Sequence, residues 1–239
     1  MRVNAAGASV IKVIASGGVL TPGTSPEQAQ MTVEELQAAV EEAQRAGRKV
    51  AAHAHGSSGM KNAIRAGVHS IEHATLMDEE AAIMMKQQGV FMVPTLSALA
   101  TTAACRLGCG IPESALEKAK SMTKRHRVSF KNALRDGIQI AMGTDAGTPF
   151  NFHGETAQDL ERMVAFGMSP MQAILASTSA AARLIEIQDQ VGTIEKGKLA
   201  DLLLFEGNPL RSIEQLRDRS RIIGVMQAGK FVAGPLSKT

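Results

Sequence analysis

Five stretches of this chain repeat one arrangement: a helical run, a glycine, then a short apolar segment rich in Val and Ile. They read "NAAGASVIKVIAS", "QRAGRKVAAHAHG", "IRAGVHSIEHA", "KQQGVFMVPTLS" and "LRDGIQIAMGTDAG", with the glycines at Gly7, Gly47, Gly67, Gly89 and Gly137. Glycine after a helix takes the left-handed conformation that ends it. Continuous apolar runs bounded by turn residues are the signature of strands buried on both faces. Alternation of helix and strand predicts right-handed crossovers and a parallel sheet. Two closures fit this pattern, an open doubly wound sheet or a (β/α)8 barrel. No Gly-rich phosphate loop follows the first strand, and "IASGG" is a lone glycine pair, which argues against a nucleotide-binding protein.

The intervening segments read as amphipathic helices. Thr32 and Glu35 in "TVEE" form a capping box ahead of the apolar face Val33, Leu36, Val40 and Ala43. Asp78 caps "DEEAAIMMKQQ", which has acids in its first turn and Lys86 in its last. "SALEKAKSMTKRHRVSFKNALRD" is long and basic; its charges read as a solvated face, and His126 within it as a residue without a special role. Ser169, Pro170 and Gln172 start one further helix across "GMSPMQAILASTSAAARLIEI". "KLADLLLFEGNPL" and "IIGVMQAGKFVAG" read as strands, with a hairpin turn at Gly229-Lys230.

Composition narrows the function classes. With seven Phe and no Trp or Tyr the core must be aliphatic, and the scarcity of aromatics argues against a base-stacking nucleic-acid surface. The net charge of +3 is scattered and points to no polyanionic partner. No apolar run approaches the ~20 residues that span a bilayer, and "MRVNAAGASV" lacks the apolar core of a secretory signal. Cys105 and Cys109 make neither a disulfide framework nor a complete zinc site; they read as two free thiols in a reducing compartment, and the protein as cytoplasmic.

Five to eight residues after each repeat glycine stands a residue that is costly to bury in an apolar strand: Lys12, His53, His73, Thr95 and Asp145. In a barrel, the C-terminal ends of the strands converge on one face, where active sites form. Two histidines and an aspartate are a ligand set for a divalent metal, zinc first. An ammonium at Lys12 would repel that metal. A desolvated, neutral lysine instead reacts with CO2 to give a carbamate, an anionic oxygen ligand able to bridge two metals.

"VIKVIASGG", "KVAAHAHG", "AGVHSIEHATLMD", "VPTLSA", "IAMGTDAGTP" and "VGTIEKGKLADLLLFEGNPL" together resemble the metal-dependent amidohydrolase superfamily, in its imidazolonepropionase-like and prolidase-like branch. The motifs occur in the family's order along nearly the whole chain. The resemblance implies an α/β fold derived from the (β/α)8 TIM barrel but incomplete, with about strands 4 to 8 in residues 1–190. Residues 191–239 would supply the C-terminal strands of a small composite β-domain. Lys12 matches the strand-4 lysine that is carboxylated in binuclear members, His53 the strand-5 ligand and His73 the strand-6 ligand. Asp145 matches the strand-8 aspartate, which binds metal and shuttles a proton. His55, Thr95 and His153 are candidate substrate contacts. The implied reaction is hydrolysis of a carbon–nitrogen bond in a small amide, dipeptide-like or cyclic amide substrate. Metal-activated hydroxide attacks, and Asp145 serves as base and then acid.

One departure from the family is large. Its barrels begin with a strand carrying His-x-His, whereas the His-x-His here, His53 and His55, is placed on strand 5 by its neighbours. Strands 1 to 3 are therefore expected to be absent, leaving sheet edges and an apolar interior that call for self-assembly or a partner chain completing the barrel. Two readings stay open: a hydrolase with one or two zinc ions, or a truncated, non-catalytic fragment acting as a partner subunit.

Overall fold

In a computed structural model, which describes residues 7–106 and 108–238, the apolar runs become parallel strands β1 (Val10–Ile14), β2 (Lys49–Gly56), β3 (Ser70–Leu76) and β4 (Phe91–Val93). They lie side by side in chain order. Helices α1 (Val33–Arg45), α2 (Ser57–Ala66) and α3 (Glu79–Gln88) make the three crossovers, and α4 (Leu96–Ala104) and α5 (Glu113–Asp136) follow β4. Gly47, Gly67, Gly89 and Gly137 end α1, α2, α3 and α5 with φ of 62°, 89°, 66° and 73°, the left-handed turn that the repeat predicts. The residues before Gly7 lie outside those described. The capping box of Thr32 and Glu35 forms at α1, and the Asp78 carboxylate accepts the Ala81 N–H at 2.9 Å to start α3.

Where five regular strands are expected, four form. The fifth run adds itself by a single parallel bridge from Ile140 to Met92. Three residues on, Gly143 packs so closely that a Cβ there would come within 2.5 Å of the Val93 side chain.

Register divides the sheet into two faces. One row runs Val13, Ala52, Ile71, Met92 and on to Ile140, all buried. The opposite row runs Ile14, His53, Glu72 and Val93. That second face is open at its β1 end, where Val10 is 39% and Ile14 49% exposed. The loop between β1 and α1 is locked down tightly. Gly59 of α2 lies so close beneath it that a Cβ would sit 2.6 Å from the Ala15 carbonyl oxygen. Lys118 of α5 donates to the carbonyls of Thr21 and Thr24, and Arg125 pairs with Glu27 at 2.7 Å.

Cys105 and Cys109 are joined in a disulfide, which corrects the expectation of two free thiols. The connection after α4 brings their Cα atoms to 6.4 Å, within the span a disulfide bridges. The ground for a reducing compartment goes with it. Among the described residues no helix is long and apolar enough to cross a membrane.

The chain divides into two units, Met1–Phe152, which holds everything above, and His153–Thr239. In the second unit, α6 (Ala157–Ala165), α7 (Pro170–Ser177) and α8 (Ser179–Leu184) precede an antiparallel sheet of β5 (Leu202–Phe205), β6 (Ile222–Gln227) and β7 (Lys230–Ala233). The capping box of Ser169 and Gln172 starts α7 as expected, but the chain breaks at Thr178 (φ −121°, ψ −91°), so one predicted helix is two. The hairpin turn is Ala228-Gly229, one residue earlier than predicted; Lys230 already opens β7 opposite Gln227.

Candidate metal centre and active site

A cavity of about 300 Å³ opens at the C-terminal ends of the parallel strands. Lys12, His53, His55, His73, Thr95 and Asp145 all line it; β2 delivers both His53 and His55, and the other four come one from each remaining unit of the repeat. His153 lies in the second unit, exposed at its first residue.

Three imidazoles form the centre. The ring centroids of His53, His55 and His73 are 4.6–4.7 Å apart, with His55 stacked on His73. One ligand atom from each lies within 4.8 Å of the others, a spacing that a single cation can satisfy. Threonine hydroxyls set two of the rings: His55 Nδ1 meets Thr75 Oγ1 at 2.8 Å and His73 Nδ1 meets Thr95 Oγ1 at 2.7 Å. With Nδ1 engaged, Nε2 is the nitrogen each ring has left for a ligand. His53 is turned the other way, its Nε2 at 3.4 Å from the Gly17 carbonyl.

The electrostatics favour neutral rings. Burial, reinforced by neighbouring imidazoles, holds His55 and His73 well below the usual imidazole range. Burial also lowers His53, with Lys12 acting in the same direction and Asp145 against it. Neutral imidazole is the form that binds a metal. Lys12 and Asp145 are both exposed residues of the cavity rim. Glu72 faces the same side of the sheet as His53; burial raises its carboxyl, opposed by Lys12 and by the Ser70 hydroxyl, which donates to it at 2.6 Å.

The strand tips are wound against their preference. His73, Ala74, Thr95 and Asp145 have φ of 72°, 47°, 47° and 52°, a region that costs a non-glycine residue on the order of 1–3 kcal/mol. Such outliers collect at functional sites. Asn151 steadies the Asp145 turn by donating to the carbonyls of Thr144 (2.7 Å) and Asp145 (3.1 Å).

Thr75 and His126 are cavity residues to which the sequence assigns no role at the site. Thr75 carries no signal, since threonine is common in strands. His126 is corrected from a bystander on a solvated face to a buried residue of the cavity wall, its Nε2 donating to the His73 carbonyl at 3.0 Å. A signal for it exists, because Leu116, Ala119, Met122, Phe130 and Ala133 mark the stripe on which it falls.

A parallel α/β sheet with histidines, a lysine and an aspartate at its strand tips defines a class, and the sequence profile of the Amidohydrolase family matches residues 1–232. The chain belongs to that family. It is 37% identical to the ochratoxinase of Aspergillus niger over 231 residues, covering 96% of this chain and 47% of that protein. A 101-residue stretch is 31% identical to the imidazolonepropionase of Shouchella clausii, covering 41% of this chain and 22% of that protein. A Xaa-Pro dipeptidase crystallised with methionine in its active site superposes with a TM-score of 0.91 at 40% identity, over 97% of this chain and 56% of that one. The chain thus spans about half the length of the relatives it matches over nearly all of its own.

Proposed function

We propose that the cavity is the metal-binding and catalytic centre of a hydrolase that cleaves carbon–nitrogen bonds in small amide or dipeptide-like substrates. In this reading the parallel sheet is the strand 4–8 arc of a (β/α)8 barrel within residues 1–190, and residues 191–239 contribute to a small composite β-domain. The single observation that carries it is the histidine cluster: three ligand nitrogens within 4.8 Å at adjacent strand tips, beside Lys12 and Asp145.

The residues fit a zinc-type cation. Neutral imidazoles oriented through their second nitrogen are the donor arrangement such sites use. His53, His73 and Asp145 would hold the cation, with Lys12 joining as a carbamate in a binuclear site. His55 stands as near as the other two rings, so a ligand role competes with the substrate contact first assigned to it. A bound divalent cation supplies Lewis acidity and acidifies water. Asp145 takes a proton from the attacking water and returns it to the leaving nitrogen. Thr95 orients His73 through its hydroxyl and lines the same cavity, where the substrate would sit. Val19, Leu20 and Leu99 give the cavity an apolar wall suited to an aliphatic side chain. The methionine held by the related dipeptidase supports an aminoacyl substrate.

The open sheet face favours a second reading, in which the chain works only when further polypeptide closes the barrel, whether a second copy or another chain. Closure would also desolvate Lys12, a condition for its carboxylation. The test is metal analysis of the purified protein together with assays on Xaa-Pro dipeptides and N-acyl amino acids. One or two zinc ions per chain, lost in Lys12→Ala along with turnover, are expected for the hydrolase. Zinc without turnover selects the second reading. Absence of both zinc and turnover removes the first reading, and the second with it if the chain is already associated with a copy or partner in that preparation.

A further inference from the structure

Strand β3 does not end as a regular strand does. Its pairing with β4 stops at Glu72 opposite Val93, and its pairing with β2 is broken between His73 and Leu76. His73, where the break starts, and Ala74, inside it, are left-handed. The interruption would orphan backbone groups in the interior, where each needs a partner. One face of α5 supplies them. His126 Nε2 donates to the His73 carbonyl at 3.0 Å. One turn further on, Ser129 Oγ donates to the Thr75 carbonyl at 2.9 Å and accepts the Met77 N–H at 3.0 Å. The Pro94 carbonyl, directly before left-handed Thr95, also faces His126.

Both side chains are buried on the apolar stripe of α5, three residues apart and therefore on one face. Packing alone would be served there by leucine or alanine. Polar groups kept in such a stripe bring a desolvation cost that only their hydrogen bonds offset. Those bonds go to the strand ends that carry His73 and Thr95, which are themselves hydrogen-bonded to each other.

We propose that His126 and Ser129 are positioning residues: α5 braces the left-handed end of β3 and so fixes where the His73 ring points into the cavity. The inference rests on the reading of His73 as a metal ligand and deepens it. It is tested in the full chain with His126→Leu, His126→Gln and Ser129→Ala, by backbone hydrogen exchange and by titration with zinc alone. In His126→Leu, exchange at residues 73–77 is expected to quicken while Val50 and Ile71 stay protected, and zinc to bind about tenfold more weakly. His126→Gln, whose carboxamide can still donate, should restore most of both. Ser129→Ala should expose the Met77 amide in particular, and decides the matter by itself if His126→Leu does not fold. Parent-like exchange and zinc affinity in His126→Leu, a glutamine variant no better than the leucine one, or a protected Met77 amide in Ser129→Ala overturns the proposal. If the parent chain binds no zinc, the ligand reading falls, and hydrogen exchange alone decides the bracing.

Discussion

An imidazole in an unfolded chain takes its proton near pH 6.5. His126 resists until about pH 4, because burial outweighs the two carbonyls that face it. Between those values the unfolded chain binds a proton that the folded chain refuses. Stability is therefore fully present above pH 6.5 and falls as the pH drops towards 4. The loss from this residue is roughly 3 kcal/mol, and His55 and His73, lowered in the same direction, add to it. Urea midpoints measured from pH 7 to pH 4 should decline throughout that window, with a shallower slope in His126→Gln. A second expectation concerns Thr75, whose hydroxyl fixes the His55 ring. Thr75→Val should weaken zinc binding about tenfold in a chelator competition while moving the melting temperature little. The tip residues Lys12, His53, His73 and Asp145 were legible because a charged or polar group in an apolar run demands a reason. His126 was not, because the dense charge of its helix concealed the stripe beneath it.

Helices and strands were legible where their determinants are local. The capping boxes at Thr32 and Ser169 lie within four residues of sequence and formed as read. Removing the first in Thr32→Ala should cost about 1 kcal/mol in equilibrium denaturation. The fifth strand, by contrast, shrank to one bridge, at Ile140, and the fit that admits only glycine at position 143 depends on Val93, fifty residues away. The loop after β1 was opaque for the same reason, since Lys118 reaches Thr24 across 94 residues. Its closeness to α2 makes Gly59→Val a sharp test: the added side chain meets the Ala15 carbonyl, and destabilisation of roughly 1–3 kcal/mol is expected by urea titration. The disulfide was missed because spacing alone says nothing of how a loop folds back on itself.

At the scale of the molecule, one face of the parallel sheet is covered by helices and the other is only half covered. The row Ile14, His53, Glu72, Val93 sets apolar and ionisable groups side by side on the half-covered face. An apolar surface at a strand edge drives association. The purified chain should therefore sediment faster as its concentration rises, and Ile14→Glu should shift it towards the monomer. The reversed twist at the tips of β3, of β4 and of the segment bearing Asp145 has a further consequence. These tips should relax first when their surroundings loosen, and the buried row Val13, Ala52, Ile71 and Met92 should hold longest. On warming, the ligand geometry should be lost well before the sheet melts, so that heat inactivation and heat unfolding are two separate events.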